Sequence, residues 1–247
     1  MCGQCGCSND APTGEAQEVH RRRLELHQGL LNRNDAQAAQ NRAHFRAHGV
    51  LAVNLLSAPG SGKTALLEQL ARHWPQQPIA VIVGDLATDN DARRLNTAGA
   101  RAVQIRTGDL CHLEADQVDR AFQQLALDGV DLLMIENVGN LVCPTAFDLG
   151  EELRLAVLAV GEGEDKPLKY PALFRSADAV VLNKCDLAEA TGFDRHQALA
   201  NLAAIAPGAP VFELSARTGS GLEALITWLQ QHRQALPAAT AAHAHHT

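Results

Sequence analysis

The chain has 247 residues, of which 46% are hydrophobic and only 4% aromatic, so we expect one compact α/β domain with appendages and a core of Ala, Leu and Val. Its 21 Lys and Arg residues against 28 Asp and Glu residues give a net charge of −7, which argues against nucleic-acid binding because that usually requires a basic face. No stretch of about 18 uncharged apolar residues is present and the first residues lack the basic-then-apolar pattern of a signal segment, so we expect a cytoplasmic protein without a membrane span.

Two segments precede the predicted domain and one follows it. Residues 1–18 hold three cysteines and then a polar stretch with Pro and Gly, and we expect a flexible segment there. Residues 19–48 carry a thin apolar stripe, which predicts a helical extension of one or two helices. Residues 237–247 are rich in Ala and His and are expected to form a disordered tail. Its histidines could bind metal weakly or have no function; they are His243, His245 and His246.

From residue 50 onward, apolar runs alternate with amphipathic stretches of helical length. The apolar runs lie at 50–56, 79–83, 102–105, 130–135, 153–160, 179–183 and 210–214, and the helical stretches at 62–74, 89–98, 113–128, 194–205 and 219–234. Continuous apolar strands that alternate with helices predict an α/β fold with a doubly wound, mostly parallel sheet covered on both faces.

A phosphate-binding loop follows the first apolar run. Residues 57–64, SAPGSGKT, match the Walker A pattern of P-loop NTPases except that Ser57 replaces its first Gly. Glycines let backbone amides turn toward phosphate oxygens at the start of a helix. Lys63 would neutralise the β- and γ-phosphates, and Thr64 would ligate Mg²⁺. The predicted phosphate-binding residues are Gly60, Ser61, Gly62, Lys63, Thr64 and Ala65, and they make residues 49–236 a P-loop domain.

The base is predicted from residues 183–186, NKCD, which follow another apolar run. Asp186 could accept two hydrogen bonds from guanine N1 and N2, whereas adenine offers no such donor pair. Asn183 can tie this loop to the phosphate loop, Lys184 can cover the base, and Cys185 is expected to pack beneath it. A backbone amide of the Ser-Ala pair after the last strand could meet guanine O6. The predicted base-binding residues are Asn183, Lys184, Asp186, Ser215 and Ala216, and GTP is the expected nucleotide.

Two further loops could complete a magnesium site. In residues 136–139, ENVG, Glu136 could bind Mg²⁺ and the Gly139 amide could sense the γ-phosphate. Asp85 or Asp91, in an acidic loop after the second strand, could add a ligand; a turn with a helix cap explains that loop equally well. No catalytic base or arginine finger is evident, so we expect slow GTP hydrolysis. The predicted catalytic residues are Lys63, Thr64, Glu136 and Gly139.

Three cysteines crowd the N-terminus, at Cys2, Cys5 and Cys7. A CxxC spacing lets two sulfurs bind one ion, and a third thiolate lies close by. Soft thiolates with an amino group favour Ni²⁺, Zn²⁺ or Cu. A lipidation site, a redox pair or a tail without function are the alternatives.

A second set of soft ligands is predicted inside the domain. Cys111 and His112 stand at the start of a predicted helix, and Cys143 follows the ENVG motif by four residues. All three are expected at the carboxyl edge of the sheet, where doubly wound folds bind their ligands. Cys and His together suit Zn²⁺ or Ni²⁺. Because Cys143 shares a loop with Glu136, the nucleotide could reposition a metal ligand.

The combined motifs resemble a known family. They are CGQCGC at 2–7, SAPGSGKT at 57–64, GDLATDNDARR at 84–94, TGDLCHLEA at 107–115, ENVGNLVCP at 136–144, KPLKYP at 166–171 and NKCD at 183–186. This set resembles the HypB family of hydrogenase nickel-incorporation GTPases, which are SIMIBI-class P-loop GTPases.

The resemblance implies a GTPase that dimerises with GTP and supplies Ni²⁺ to the large subunit of [NiFe]-hydrogenase together with the nickel chaperone HypA. By this likeness the N-terminal cysteines form a high-affinity Ni²⁺ site. The second set, Cys111, His112 and Cys143, forms a site for Ni²⁺ or Zn²⁺ at the dimer interface. Lys169 is a candidate for reaching the nucleotide across that interface.

Some features depart from the family pattern, and other function classes compete with it. Asp116 stands where some relatives carry a His, which leaves the number of ligands at the second site open. The chain has almost no His-rich segment near its N-terminus, so bulk nickel storage is not expected. A signalling or targeting GTPase with structural zinc is one alternative. A P-loop kinase is another, and the NKCD motif argues against it.

Overall fold

The structure is a computed structural model that describes residues 14–76, 78–85, 90–108 and 110–236. Its contacts divide the chain into two compact units, with the boundary after Arg33. In the first unit, helix α1 begins at Gly14, within the segment expected to be a linker, and Gln28 Nε2 donates to Asn32 Oδ1 at 3.0 Å. The second unit begins at Asn34 and contains the sheet. Residues 34–47 thus belong with the P-loop domain rather than with a separate extension.

The elements follow the predicted alternation. The helices are α1 Gly14–Ala47, α2 Lys63–His73, α3 Asn90–Thr97, α4 Ala115–Phe122, α5 Lys166–Lys169, α6 Pro171–Arg175, α7 Ala188–Thr191, α8 Arg195–Ile205 and α9 Leu222–Ala235. The strands are β1 Leu51–Ser57, β2 Ala80–Asp85, β3 Arg101–Arg106, β4 Leu132–Glu136, β5 Leu153–Ala159, β6 Ala179–Asn183 and β7 Val211–Glu213. In the part of the chain that is described, no helix is long and apolar enough to cross a membrane.

Helix α4 differs most from its predicted span of 113–128. It ends at Phe122 because the next residues close short turns, in which Gln124 N donates to Ala121 O at 3.1 Å and Leu125 N to Phe122 O at 3.1 Å. At its start, Glu114 N donates to the Gln117 side chain at 2.9 Å. The Cys111–His112 pair therefore lies in the loop before the helix instead of beginning it.

The strands form one parallel sheet in the order β3-β2-β4-β1-β5-β6-β7. Strand β1 lies between β4 and β5 and is buried along its whole length. Because all the strands run in one direction, the loops after β1, β2, β4 and β6 leave the same edge of the sheet. This confirms the predicted doubly wound α/β fold and gathers the motif loops at one edge.

Successive β1 side chains enter opposite layers of the core, as the pleat requires. Leu51, Val53 and Leu55 pack with α2 and α9, whereas Ala52 packs on the other face of the sheet with the α4 side chains. Asn54 is the one amide in this apolar strand, and it is fully buried.

The last part of α1, residues 34–47, packs on the same side of the sheet as α4, through a stripe of both polar and apolar side chains. Its buried residues are Asn34, Ala38, Asn41 and Phe45, at helical spacing. Asn34 Oδ1 accepts from Ala115 N at 2.9 Å, and Asn41 Nδ2 donates to Ala115 O at 2.8 Å and Leu149 O at 3.0 Å. This stripe looked thin in the sequence because half of its buried residues are amides.

Candidate nucleotide and metal site

The amine of Lys63 lies in a buried cradle at the end of β1. Its Nζ donates to Ser57 Oγ at 2.8 Å, and Ser61 Oγ donates to the same oxygen at 2.6 Å. Burial lowers the pKa of Lys63, while the carboxylates of Glu136, Glu162 and Asp91 oppose that shift. The serine that replaces the first Walker Gly therefore holds Lys63, the lysine predicted to bind phosphate, in place.

Gly62 shows why the phosphate loop requires glycine. It has φ +96°, in the left-handed region, and it caps the start of α2. A Cβ at this position would lie 2.6 Å from Asn183 Nδ2. Gly60, at φ +74°, has open space around it, so only its backbone conformation favours glycine. The phosphate loop lines a cleft, and Ala65, the residue after Thr64, lines it too.

Thr64 and Glu136 bring two hard oxygen donors together beside this lysine. Thr64 Oγ1 donates to Glu136 Oε1 at 3.0 Å, across the gap between α2 and the end of β4. A Cβ on Gly139 would lie 3.0 Å from the Pro59 backbone, so the ENVG loop runs directly against the phosphate loop. A hydroxyl and a carboxylate are donors that Mg²⁺ accepts, so this pair fits the predicted magnesium site.

The two acidic candidates from the loop after β2 have different outcomes. Asp91 lines the cleft together with Lys63, Thr64 and Glu136. It forms an ion pair with Arg94 at 3.3 Å. The side chain of Asp85 lies outside the described residues, as do residues 86–89 of the same loop.

The NKCD motif is joined to the phosphate loop by Asn183, which is fully buried at the end of β6. Asn183 Nδ2 donates to Ser61 O at 2.9 Å, and its Oδ1 accepts from Lys184 N at 2.7 Å and Ala216 N at 3.0 Å. One amide thus connects three motif loops, with Ser215 buried beside Ala216.

Lys184 and Asp186 extend from this junction toward solvent. Lys184 has φ +62°, the one positive φ among the non-glycine residues described, and its Nζ donates to Gly60 O at 2.7 Å. Asp186 is exposed, open to a ligand. Cys185 is partly buried, with Sγ 3.2 Å from Leu182 O, and burial raises the pKa of this thiol.

The two internal cysteines of the predicted metal site are both free thiols. The pKa of Cys111 is raised by the Cys143 thiol beside it. Both residues are partly buried. Cys143 begins a short 3-10 turn, and its backbone N is 3.4 Å from Asn140 Oδ1. The loop after β4 therefore carries Glu136 at one end and a thiol at the other.

His112 is adjacent to the thiols, with Nδ1 3.7 Å from Cys111 Sγ. Its ring stacks on Phe147, with centroids 3.8 Å apart, and burial lowers its pKa. Among the described residues, no three His, Cys, Asp or Glu side chains stand in metal-binding geometry. The soft S and N donors fit Ni²⁺ or Zn²⁺ in kind. The three N-terminal cysteines and the three tail histidines lie outside the described residues.

Two charged residues, Glu162 and Lys169, lie in the segment that follows β5. Lys169 is exposed and forms an ion pair with Asp165 at 2.5 Å. Glu162 is more buried, and burial raises its pKa although Lys166, Lys184 and Lys63 oppose the shift. Sequence reasoning missed Glu162; its one signal was its position directly after a buried strand.

Comparison with known proteins decides the family. The model of the CobW/HypB/UreG nucleotide-binding domain matches residues 51–213. A hydrogenase maturation factor HypB from Azotobacter chroococcum mcd 1 is 50% identical over 219 residues, which cover 87% of this chain and 70% of the relative. The chain belongs to the HypB family. HypB from Escherichia coli K12 is 46% identical over 214 residues, covering 86% of this chain and 74% of that protein.

Solved HypB structures share the fold. The crystal structure of HypB from Helicobacter pylori in complex with nickel has a TM-score of 0.78 and 38% identity, and the match covers 86% of this chain and all of that one. HypB from Archaeoglobus fulgidus has a TM-score of 0.76 and 40% identity over 82% of this chain and all of that one. The 54 kDa signal recognition particle protein of Aeropyrum pernix, at 18% identity and TM-score 0.51, matches 75% of this chain and 49% of its own. That likeness concerns the fold alone.

Proposed function

We propose that the chain is a GTP-hydrolysing nickel metallochaperone that delivers Ni²⁺ for assembly of the [NiFe]-hydrogenase active site. One observation carries this proposal. The loop after β4 begins with Glu136, which accepts a hydrogen bond from Thr64, and reaches Cys143, whose thiol raises the pKa of the neighbouring Cys111. A nucleotide at Thr64 and a metal at the thiols would therefore bind to the two ends of one short loop.

The nucleotide chemistry is assigned to the residues of the cleft. Lys63 would bind the β- and γ-phosphates, and Thr64 and Glu136 would hold Mg²⁺, which neutralises charge on the phosphates. The Gly139 amide would contact the γ-phosphate, and Asp186 would select guanine. Because Asp91 lies in the same cleft, it is the better supported of the two acidic candidates for the Mg²⁺ shell. Hydrolysis is expected to be slow, as in GTPases that act as timers.

Nickel is the cargo in this proposal. Cys2, Cys5 and Cys7 would form the tight site in the segment 1–18, and Cys111, His112 and Cys143 a second site for Ni²⁺ or Zn²⁺. The Asp116 carboxylate is bound by Arg120 on the exposed face of α4, which favours a second site without it. The Nδ1 atom of His112 lies 3.7 Å from Cys111 Sγ, which supports including His112 in this site.

The expected partners are a second copy of the chain in the GTP state, the nickel chaperone HypA and the hydrogenase large subunit. Exposed apolar side chains support an interface at the sheet edge, since Leu110 and Val142 directly precede the two internal cysteines and are 38% and 62% exposed. Lys169 is also exposed, and its neighbour in the sequence, Leu168, is 51% exposed. In a dimer through this edge, Lys169 would exchange Asp165 for the partner's nucleotide.

A nickel titration tests the proposal. Full-length protein, a triple variant with Cys2, Cys5 and Cys7 changed to Ala, and Cys111→Ala are each titrated with GDP or with a non-hydrolysable GTP analogue. We expect the triple variant to lose a tight site and to retain a weaker, nucleotide-sensitive site, which Cys111→Ala removes. Weak nickel binding in the full-length protein that ignores the nucleotide would instead favour a GTPase with structural or idle cysteines.

A further inference from the structure

The amide side chain of Asn137 connects the nucleotide loop to the other metal-ligand segment. Asn137 follows Glu136 at the end of β4 and is 1% exposed. Its Oδ1 accepts a hydrogen bond from Leu113 N at 3.2 Å and from Val138 N at 2.9 Å. Leu113 is the residue after His112. The ENVG loop therefore contacts the Cys111–His112 segment through a buried bond, separate from the thiol contact of Cys143.

This amide has no freedom to rotate while the loop stays in place. Its Nδ2 donates to Asn54 Oδ1 at 3.3 Å, and Asn54 Nδ2 donates to Glu151 Oε1 at 3.2 Å. Asn54 and Glu151 are buried as well. Buried polar groups that lose a partner are costly, so the Asn137 side chain keeps this orientation, and a displacement of the ENVG loop that carries it would displace Leu113 N as well.

The side chain of Leu113 fits tightly against the neighbouring strand. It is fully buried, and a Cβ on Gly84 would lie 2.8 Å from Leu113 Cγ. Gly84 is next to Asp85 at the end of β2, where the acidic loop begins. The segment at Leu113 thus contacts the ENVG loop and the end of β2, both of which line the nucleotide cleft, and packed interiors transmit displacement rather than absorb it.

The other end of this segment is anchored to a different element. Ala115, the first residue of α4, donates to Asn34 Oδ1 and accepts from Asn41 Nδ2, both on α1. Two hydrogen bonds thus hold residue 115, while Asn137 holds residue 113. A shift of the ENVG loop would therefore move Cys111 and His112 relative to α4 rather than move α4 itself.

We propose that Asn137 is the positioning residue through which the nucleotide state sets the placement of Cys111 and His112. The inference rests on the proposed function, in which these residues bind metal. Cys143 moves with the ENVG loop because it belongs to it, and the Asn137–Leu113 bond makes the opposite pair of ligands follow. Both halves of the internal metal site would then move with the ENVG loop. The metal affinity in the two nucleotide states would differ because of this bond.

The test compares two amide truncations. Asn137→Ala removes the acceptor of Leu113 N, and Asn201→Ala is the control, because it removes a buried amide of α8 that donates to Glu164 O and has no bond to the ENVG loop. Each full-length variant is titrated with Co²⁺ as a spectroscopic probe of thiolate coordination, in a background with Cys2, Cys5 and Cys7 changed to Ala, at saturating GDP or non-hydrolysable GTP analogue. We expect the wild-type ratio of the two dissociation constants to lie in the roughly 5–150-fold range of allosteric couplings. In Asn137→Ala it should fall to about twofold or less, with Asn201→Ala close to wild type.

Amide hydrogen exchange adds a readout that needs no variant. Exchange at Leu113 should differ between the GDP and GTP-analogue states of the wild-type chain. An unchanged coupling ratio in Asn137→Ala, or equal exchange at Leu113 in both states, would overturn the inference and leave the proposed function standing. A wild-type chain whose Co²⁺ affinity ignores the nucleotide would overturn the proposed coupling itself. If Asn201→Ala lost the coupling equally, a general loosening of the domain would explain the result and Asn137 would have no special role.

Discussion

Replacement of Asn41 by Ala should destabilise the P-loop domain by about 2 kcal/mol. Asn41 is fully buried on α1, and its Nδ2 is bonded to Ala115 O and Leu149 O. Each lost hydrogen bond costs about 1–1.5 kcal/mol, and both carbonyls stay buried. The gain in helix propensity from Asn to Ala returns roughly 0.5 kcal/mol, so the net loss is close to 2 kcal/mol.

Urea unfolding followed by circular dichroism measures this loss, with metal-free and nucleotide-free protein throughout. Gln40→Ala, at an exposed position one residue away, is the matched control and should change the unfolding free energy by less than about 0.5 kcal/mol. Equal small effects for Asn41→Ala and Gln40→Ala would refute the reasoning, because α1 would then contribute nothing through its amides.

Three further changes test the base-binding loop, the phosphate loop and the buried carboxyl group of Glu162. Asp186→Asn should shift base preference from guanine to xanthine, since an amide donates where the carboxylate accepted; competitive binding of GDP and XDP checks this, and retained GDP preference would contradict the role of Asp186. Gly62→Ala should abolish nucleotide binding because its Cβ would overlap Asn183 Nδ2; Gly192→Ala, at φ +64° with open space around it, controls for backbone strain alone and should bind GDP normally. Burial raises the pKa of Glu162, so the folded chain binds the extra proton and stability falls as pH rises from the ordinary Glu value through the raised one. Glu162→Gln should therefore stabilise the chain at pH 7.5 more than at pH 4 in urea unfolding, whereas Glu189→Gln, at an exposed site, should show no such pH dependence.

The sheet and its site edge were predictable because apolar strands and ligand motifs alternate along the chain. The predicted α2 at 62–74 is observed at Lys63–His73, and the sixth strand at 179–183 is observed with the same bounds. A connection from Asn183 to the phosphate loop was predicted from the motifs, and the structure has it as a hydrogen bond to Ser61 O at 2.9 Å. Local patterns suffice here because each motif lies at the end of a buried strand.

The buried amides were not predictable, since their partners are distant in sequence. Asn41 bonds Leu149 across 108 positions and Asn54 bonds Glu151 across 97. A helix that packs through amides has a weak hydrophobic period, so the apolar stripe of α1 looked thin in the sequence. The one visible signal was Asn54, a polar residue within an apolar strand.

Because the backbone of Lys184 is left-handed, selection for stability and selection for nucleotide binding favour different residues at this position. A non-glycine residue in this conformation costs about 1 kcal/mol, and glycine would remove that cost. Yet glycine would also remove the amine that bonds Gly60 O and the stem that is expected to cover the base. Evolution toward a more stable empty chain would therefore favour Gly at this position, and evolution toward nucleotide retention favours Lys. The lysine found here indicates that retention has prevailed, at the expense of a strain that every nucleotide-free molecule carries.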